Sequence, residues 1–391
     1  MFMRRCSLAV LASICALGAA LPAHALNDSF TTPYNTIGTI AYDGGDRLLV
    51  VWLGRTSEGD QLVGQIFSAS TGAPLSPSRI YASKPTGRPR AAFGGGRFLV
   101  TYTSVWSSSD HDIAALFVKT DGTKDGAFLY VDAASRMDYL GDVTYVAERN
   151  EFYVVYNGGP GFSSSYDSRG SYVTQSGNVT GRGMLAAGRQ AESVSYGPGN
   201  ILVAFRDNSA VYRGHLAPGE STIRELIRIA SGEGPQTAYS APLGRFAVTF
   251  RTYTKAWAQT LSGACLTSSC GGASAVTTTF SNAQIGSTNV NVPAVAPAGS
   301  NFVMAAGALF PGYKGISTAS MNGDAFVHTR HVSQWDAPCN NEYFPHAFDS
   351  ESLGSTAVYL IQSNCSGAAP LEGLILNTWS GRTNTPFRIA D

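Results

Sequence analysis

Two histidines stand beside residues that would support proton transfer. His346 follows Tyr343 by three positions, and His111 lies between two aspartates. A carboxylate can orient an imidazole as a general base, and a tyrosine hydroxyl can act as a general acid. A purely structural role is the alternative for each histidine. The candidate catalytic residues are His346, His111, Tyr343 and Tyr253.

Arginines and aromatic residues in the same parts of the chain indicate a different chemistry. Guanidinium groups bind carboxylates and sulfates through paired hydrogen bonds, and aromatic faces can stack on sugar rings. Together they would suit an acidic glycan. The alternative is that these residues pack or pair locally, for example Arg206 with Asp207. The candidate ligand-binding residues are Arg90, Arg206, Arg251, Gln236, Trp106 and Trp335.

A repeated apolar pentapeptide organises the elements that would position these residues. It first occurs at residues 48–52 and recurs six times, at intervals of 45 to 56 positions. Its last residues are Trp52, Tyr102, Tyr156, Phe205, Phe250, Ala306 and Leu360. A period of this length is typical of solenoids and propellers. Alternating apolar residues and turn residues predict four strands around each copy, and therefore an all-β, seven-bladed β-propeller of four-stranded antiparallel blades.

A glycine recurs in the predicted hairpin between the third and fourth strands of each blade, where a positive φ is expected. These glycines are Gly72, Gly122, Gly177, Gly219, Gly263, Gly323 and Gly381. Seven hairpin glycines match the seven pentapeptides, so the two counts agree.

The first strand of each blade is predicted to line a central channel. Its first residues are expected to form a polar ring at one mouth: Thr39, Arg90, Asp142, Ser193, Gln236, Ala294 and His346. The long loops emerge at that mouth, so we expect a ligand there, with a channel that holds only water as the alternative. The ring would close either with a complete last blade or with residues 28–34 as an added strand.

Residues 1–25 resemble a secretory signal peptide, with Arg4 and Arg5, an apolar run and a small-x-small pattern at 23–25. A membrane anchor is the alternative, but the run is short for a bilayer. Residues 26–391 would then form one propeller domain, either secreted or periplasmic. In an oxidising compartment we expect two disulfides. The expected pairs are Cys339 with Cys365 and Cys265 with Cys270.

The balance of charges limits the partners that the protein can have. The 391 residues include 27 Lys and Arg and 27 Asp and Glu, so the formal net charge is zero. This argues against nucleic acid or an anionic membrane as the main partner. No nucleotide, metalloprotease, hydrolase or calcium-loop motif is present, so we expect no metal and no cofactor. We also expect a monomer without a membrane span after signal cleavage.

Over almost the whole mature length, the repeats resemble secreted bacterial seven-bladed β-propellers, some of which are lectins and some polysaccharide lyases, including ulvan lyases. The first hypothesis is non-catalytic recognition of an acidic polysaccharide at the channel mouth; it rests on the loop-rich, aromatic and arginine-bearing face, which lacks a complete catalytic set. The second is β-elimination on a uronic-acid polymer, in which an arginine neutralises the carboxylate, a histidine removes a proton and a tyrosine protonates the leaving oxygen. A protein-binding scaffold or adhesin is a third possibility.

Overall fold

The computed structural model describes residues 38–56, 58–159, 166–252, 255–264, 266–268, 277–281, 289–290, 293–310, 313–322, 325–335, 346–353, 356–362, 371–377 and 387–390. These residues are mostly strand, and they include one complete 3₁₀ turn, Ala147–Arg149. Within the described ranges, no helix has the length and apolar character needed to cross a bilayer. The all-β prediction is confirmed.

The strands form successive antiparallel units of four, which we call blades. Blades 1 to 3 contain β1 (Thr39–Tyr42), β2 (Arg47–Thr56), β3 (Gly59–Ser68), β4 (Arg79–Ser83), β5 (Pro85–Gly94), β6 (Arg97–Ser107), β7 (Asp110–Val118), β8 (Leu129–Asp132), β9 (Met137–Val146), β10 (Glu151–Gly159), β11 (Asp167–Thr174) and β12 (Val179–Ala186). A single parallel bridge between β7 and β9 joins the second and third blades into one sheet.

The remaining strands follow the same plan. Blades 4 to 7 contain β13 (Gln190–Gly197), β14 (Asn200–Arg206), β15 (Ala210–Leu216), β16 (Glu225–Ser231), β17 (Glu233–Ser240), β18 (Arg245–Thr252), β19 (Lys255–Ser262), β20 (Thr277–Ser281), β21 (Asn289–Val290), β22 (Ala294–Ala298), β23 (Asn301–Phe310), β24 (Tyr313–Asn322), β25 (Ala325–Trp335), β26 (His346–Leu353), β27 (Thr356–Gln362), β28 (Leu371–Asn377) and β29 (Phe387–Ala390). Both β21 and β22 pair with β23.

The repeated pentapeptides are the second strands of the blades, and they are buried on both faces because each blade stacks between two others. The hydrophobic core is therefore divided among the blade interfaces. One cluster joins Leu49 and Val51 of the first blade to Phe98 and Val100 of the second. Similar clusters join blades 2 and 3, 3 and 4, 4 and 5, and 5 and 6.

The blades close into a ring. The innermost strands contact one another in the order β1, β5, β9, β13, β17, β22, β26 and back to β1. Across this last seam, Val358 of β27 packs in one cluster with Ile40 and Val50 of the first blade. All four strands of the last blade come from residues 346–390. The alternative closing strand, residues 28–34, lies outside the described residues.

Two details differ from the sequence-based expectation. Gly72, Gly122, Gly177 and Gly219 have positive φ as predicted. Gly263 does not; a side chain is excluded there because a Cβ would lie 2.7 Å from the carbonyl oxygen of Gly244. The inner strands β5, β9, β13 and β17 also begin three to five residues earlier than the expected ring positions. In each of these strands, pairing with the second strand of the blade continues past a bulge toward the start of the inner strand.

The proposed signal peptide and the four cysteines Cys265, Cys270, Cys339 and Cys365 lie outside the described residues. The two disulfides therefore stay predictions.

Candidate functional site

A β-bulge interrupts the innermost strands of blades 2 to 5 close to one mouth of the channel. In each blade the pairing register with the second strand shifts just before the predicted ring residue, for example between Ala191 and Ser193 in β13. A bulge leaves a residue unpaired in the ladder and turns its side chain away from the usual alternation. The bulged segments contain Arg88, Gly141, Glu192 and Gly234.

Charged side chains from three blades meet around the bulged Glu192. Arg206 of the same blade forms an ion pair with Glu192, and its Nε donates to Oε1 of Gln190 at 3.1 Å. Burial raises the pKa of Glu192, and the negative charge of Glu233 raises it further. The positive charges of Arg206, Arg90 and Arg88 oppose this increase. Arg88 and Arg90 belong to blade 2 and Glu233 to blade 5, so the charges that act on Glu192 come from three blades.

The other arginines of this site also have acidic neighbours. Arg251 Nη2 lies 2.9 Å from Oε1 of Glu233, and Arg90 Nε lies 3.3 Å from Oδ1 of Asp142. We call these seven residues the mouth cluster: Arg88, Arg90, Arg206, Arg251, Asp142, Glu192 and Glu233. Among the described residues, the mouth cluster thus contains four arginines and three carboxylates. The alternative pairing of Arg206 with Asp207 is not observed, since Asp207 accepts hydrogen bonds from Tyr212 and the 209–210 backbone, and Arg206 pairs with Glu192.

Arg90 and Asp142 connect neighbouring inner strands. Arg90 is only 5% exposed, and its Nε donates to the carbonyl oxygen of Gly141 at 2.9 Å. Asp142 accepts from Ser193 Oγ and from the backbone N–H of Val194, both at 3.0 Å. These contacts tie β5 to β9 and β9 to β13, so both side chains hold the mouth in shape.

The predicted polar ring is present in part. Asp142, Ser193 and Gln236 line an axial cavity of about 400 Å³. In blade 7, the register places Ser350 opposite Tyr359, which is the position that Asp142 holds in blade 3. His346 lies four residues earlier, opposite Gln362, and one of these residues is added by a bulge between Ala347 and Asp349. Its expected place in the ring is therefore wrong; Ser350 holds that position and lines the cavity together with Ser352.

Sequence reasoning missed a circle of aromatic residues at the other end of the cavity. Five inner strands carry an aromatic residue opposite the first pentapeptide residue of the central strand, and all five are half-buried and line the cavity. We call them the aromatic collar: Tyr42, Phe93, Tyr145, Tyr196 and Tyr239. Their common register was a signal available in the sequence.

The collar is held by packing between blades. The Tyr145 ring packs against Phe152 with ring centroids 5.2 Å apart, and a Cβ on Gly94 of blade 2 would overlap it. Tyr145 also donates a hydrogen bond to Asn150 Oδ1 at 2.7 Å. Packing and hydrogen bonding therefore fix Tyr145 of the collar in the wall of the channel.

The remaining candidate residues are spread over the same face or lie outside the described residues. Trp106, near the end of β6, is 72% exposed. Trp335 ends the outermost strand of blade 6, opposite Lys314. Tyr253 and Tyr343 lie outside the described residues.

His111 lies in a second polar cluster, between blades 2 and 3. It is 8% exposed, its backbone N–H donates to the carbonyl of Arg136 at 3.0 Å, and its ring meets Tyr139 edge-on. Burial lowers the pKa of His111, while the adjacent Asp110 opposes this. Burial thus favours the neutral imidazole, and among the described residues its Nδ1 has no hydrogen-bond partner.

Arg136 bridges two aspartates of this cluster, at 2.6 Å to Asp132 Oδ2 and 2.7 Å to Asp138 Oδ1. Asp138 is fully buried, and this burial raises its pKa to about 7, with Arg136 opposing the shift. Its Oδ2 has no hydrogen-bond partner within the described ranges. Because Asp138 and His111 are shielded from solvent, this cluster bears on stability and pH response more directly than on contact with a ligand.

Comparisons with known proteins identify the fold and nothing finer. No protein-family profile and no curated protein sequence matches the chain. Solved β-propellers do match. The chain has a TM-score of 0.52 to the Myceliophteria thermophila Cps50 (Swd1) β-propeller domain, at 9% identity, with 91% of this chain and 100% of that one covered.

Two further structures are proteases. The propeller domain of the trilobed protease from Pyrococcus furiosus, which has an open velcro topology, gives a TM-score of 0.51 at 9% identity, with 92% and 99% covered. A prolyl endopeptidase gives 0.53 at 12% identity; it covers 93% of this chain, which spans only 50% of that protein's length. The protein is an all-β propeller. Identities this low show the fold alone, and no polysaccharide lyase stands among these neighbours.

Proposed function

We propose that the protein is a non-catalytic, exported propeller that recognises an acidic polysaccharide at the channel mouth. The observation that supports this most is the mouth cluster, in which arginines from blades 2, 4 and 5 converge on one opening. Partly desolvated guanidinium groups bind carboxylates and sulfates strongly. The exposed Trp106 on the same face would offer a surface for a sugar ring.

The arginines would exchange partners when the ligand binds. Arg206 and Arg251 are held by Glu192 and Glu233, so an incoming anion competes with a carboxylate that is already in place. Glu192 is the weaker competitor because its environment favours the neutral form. A polymer with several anionic groups can meet this competition at more than one arginine, whereas a single small anion cannot.

The test is calorimetric titration with sulfated, uronate-containing and neutral polysaccharides. We expect binding of the anionic polymers that weakens as salt screens the charges, and a loss of at least about tenfold in Arg206→Gln and Arg251→Gln. Arg224→Gln is the matched control, because Arg224 forms an exposed ion pair with Glu220 near the β15–β16 connection, on the opposite face. Absence of binding across the panel would favour a protein-binding scaffold.

The same mixtures separate recognition from catalysis. A lyase releases an unsaturated uronate that absorbs in the ultraviolet, and a steady increase in that absorbance would overturn the non-catalytic assignment. Export is tested by cell fractionation, with a mature N-terminus expected near Leu26.

A further inference from the structure

The axial cavity extends beyond the charged mouth and ends at the aromatic collar. Its volume of about 400 Å³ lies within the range of roughly 300–1,000 Å³ that is typical of small-molecule pockets. Residues at both levels line it, from Asp142 and Gln236 near the mouth to Tyr145 and Tyr239 at the far end. One continuous space therefore has a polar end and an aromatic end.

The wall of this cavity is polar but offers no free charge. Asp142 is the only charged residue among the described lining residues, and Ser193, Val194, Val143 and Arg90 already occupy its two oxygens. A cation or anion would find no counter-charge here, so the wall favours an uncharged ligand.

Hydrogen-bonding groups are nevertheless plentiful. The inner strands are sheet edges, so alternate backbone N–H and C=O groups face the channel. In β13, the N–H of Val194 points away from β14 and donates to Asp142. The N–H of Tyr196, two residues later, points to the same side of the strand. Ser195, a buried lining residue, has an Oγ without a hydrogen-bond partner among the described residues.

We infer that the axial cavity binds one uncharged sugar unit. Its hydroxyl groups meet the amide of Gln236, the lining hydroxyls and the strand edges, and its C–H face lies against the aromatic collar. The inference rests on the proposed carbohydrate specificity but not on the mouth cluster. With both sites in use, the protein would recognise the end of a chain, with a neutral terminal sugar in the cavity and anionic units at the mouth.

The experiment follows the collar directly. The protein is labelled with ¹³C in its tyrosine rings and titrated with glucose, galactose, xylose and N-acetylglucosamine. We expect at least one sugar to shift the signals of Tyr145, Tyr196 and Tyr239 in a saturable way. The signals of Tyr102 and Tyr153, buried inside blades, should not move. Gln236→Leu should weaken this binding about tenfold because the cavity loses a hydrogen-bonding group.

The proposed binding sites at the mouth and in the cavity can be tested separately. Arg206→Gln should leave the neutral sugar titration unchanged while it weakens the anionic polymers. Collar signals that stay fixed at high sugar concentration, or that shift equally with glycerol, would overturn the cavity site and leave the mouth proposal standing. Saturable collar shifts without any binding of anionic polymers would support the cavity and overturn the proposed mouth function.

Discussion

At the scale of single residues, the site depends on charges that are paired before any ligand arrives. Arg90 is almost fully buried and holds β9 in place, so it supports the mouth without being available to bind. Arg206 and Arg251 are more exposed and have acidic partners on strands that border the channel. The state of Glu192 therefore decides how freely Arg206 can bind an anion.

Lower pH should strengthen the binding of a sulfated polymer. Burial raises the pKa of Glu192, so this side chain takes up a proton earlier than an ordinary glutamate as pH falls, and releases Arg206. Sulfate keeps its charge over this range. Glu192→Gln should bind about tenfold more tightly at pH 7, with a reduced pH dependence. Calorimetry between pH 5 and pH 8 measures both effects, and an unchanged pH profile in the variant would contradict this role.

Asp138 should make the protein less stable as pH rises. Its folded pKa is raised from 3.8 to about 7, so the folded state holds the proton more tightly than the unfolded state. The stabilisation is complete below pH 3.8 and is lost as pH rises through about 7. Thermal unfolding of Asp138→Asn should therefore lack this part of the pH dependence.

Asp207 provides a control, because its pKa shift has the opposite direction to that of Asp138. Hydrogen bonds from Tyr212, Ser209 and Ala210 lower its pKa from 3.8 to about 2. Its contribution is present above pH 3.8 and is lost as pH falls through about 2. Asp207→Asn should thus reduce stability at neutral pH. Parallel pH profiles for the two variants would refute the assignment of Asp138.

At the scale of elements, the bulge creates the site. A regular inner strand would direct its side chains alternately into the two blade interfaces, whereas the bulge brings Arg88 and Glu192 to the mouth. Gly141 fills the same place in blade 3. A Cβ there would lie 2.5 Å from the carbonyl oxygen of Ala191 and 3.0 Å from that of Val155. The absence of a side chain lets β9 approach β13 and leaves room for Arg90.

Gly141→Ala should destabilise the fold by about 1–3 kcal/mol, because backbone on both sides must move. It should also weaken the binding of the sulfated polymer, since Arg90 loses its acceptor geometry. Chemical denaturation and calorimetry measure the two effects. Gly45→Ala is the matched control, in an exposed turn where the nearest atom is the flexible Asp43 side chain at 3.3 Å. Equal effects of the two variants would contradict the role of the bulge.

At the scale of the molecule, the ring makes every blade interface depend on the others. Each blade buries its apolar faces against two neighbours, and the seam between the last and first blades is closed by Val358 among Ile40, Leu48 and Val50. An open array of this kind would leave two apolar faces in water. Closure removes both, which favours unfolding as a single cooperative event.

Val358→Ala should lower the free energy of unfolding by about 1–3 kcal/mol, because this side chain is completely buried. Denaturation monitored by circular dichroism should remain a single transition at a lower midpoint. Leu75→Ala is the control, because Leu75 is 52% exposed and its truncation should have little effect. A separate early transition for the last blade would show that the seam does not couple the ring.

The repeated pentapeptides were sufficient to predict the propeller, because residues buried on both faces of a central strand must be continuously apolar and recur once per blade. Hairpin glycines such as Gly122 were predictable for the same local reason, since a positive φ restricts the residue type. Three arginines of the mouth cluster, Arg90, Arg206 and Arg251, were candidates from the sequence alone, but their pairing with acidic residues was not predictable. A bulge changes which way each side chain points, so the sequence did not reveal that Arg206 pairs with Glu192, and it placed His346 in the ring position of blade 7. Only the tertiary structure brings Glu192 to the arginines of blade 2, because ring closure joins residues a hundred positions apart through space and not through any local pattern.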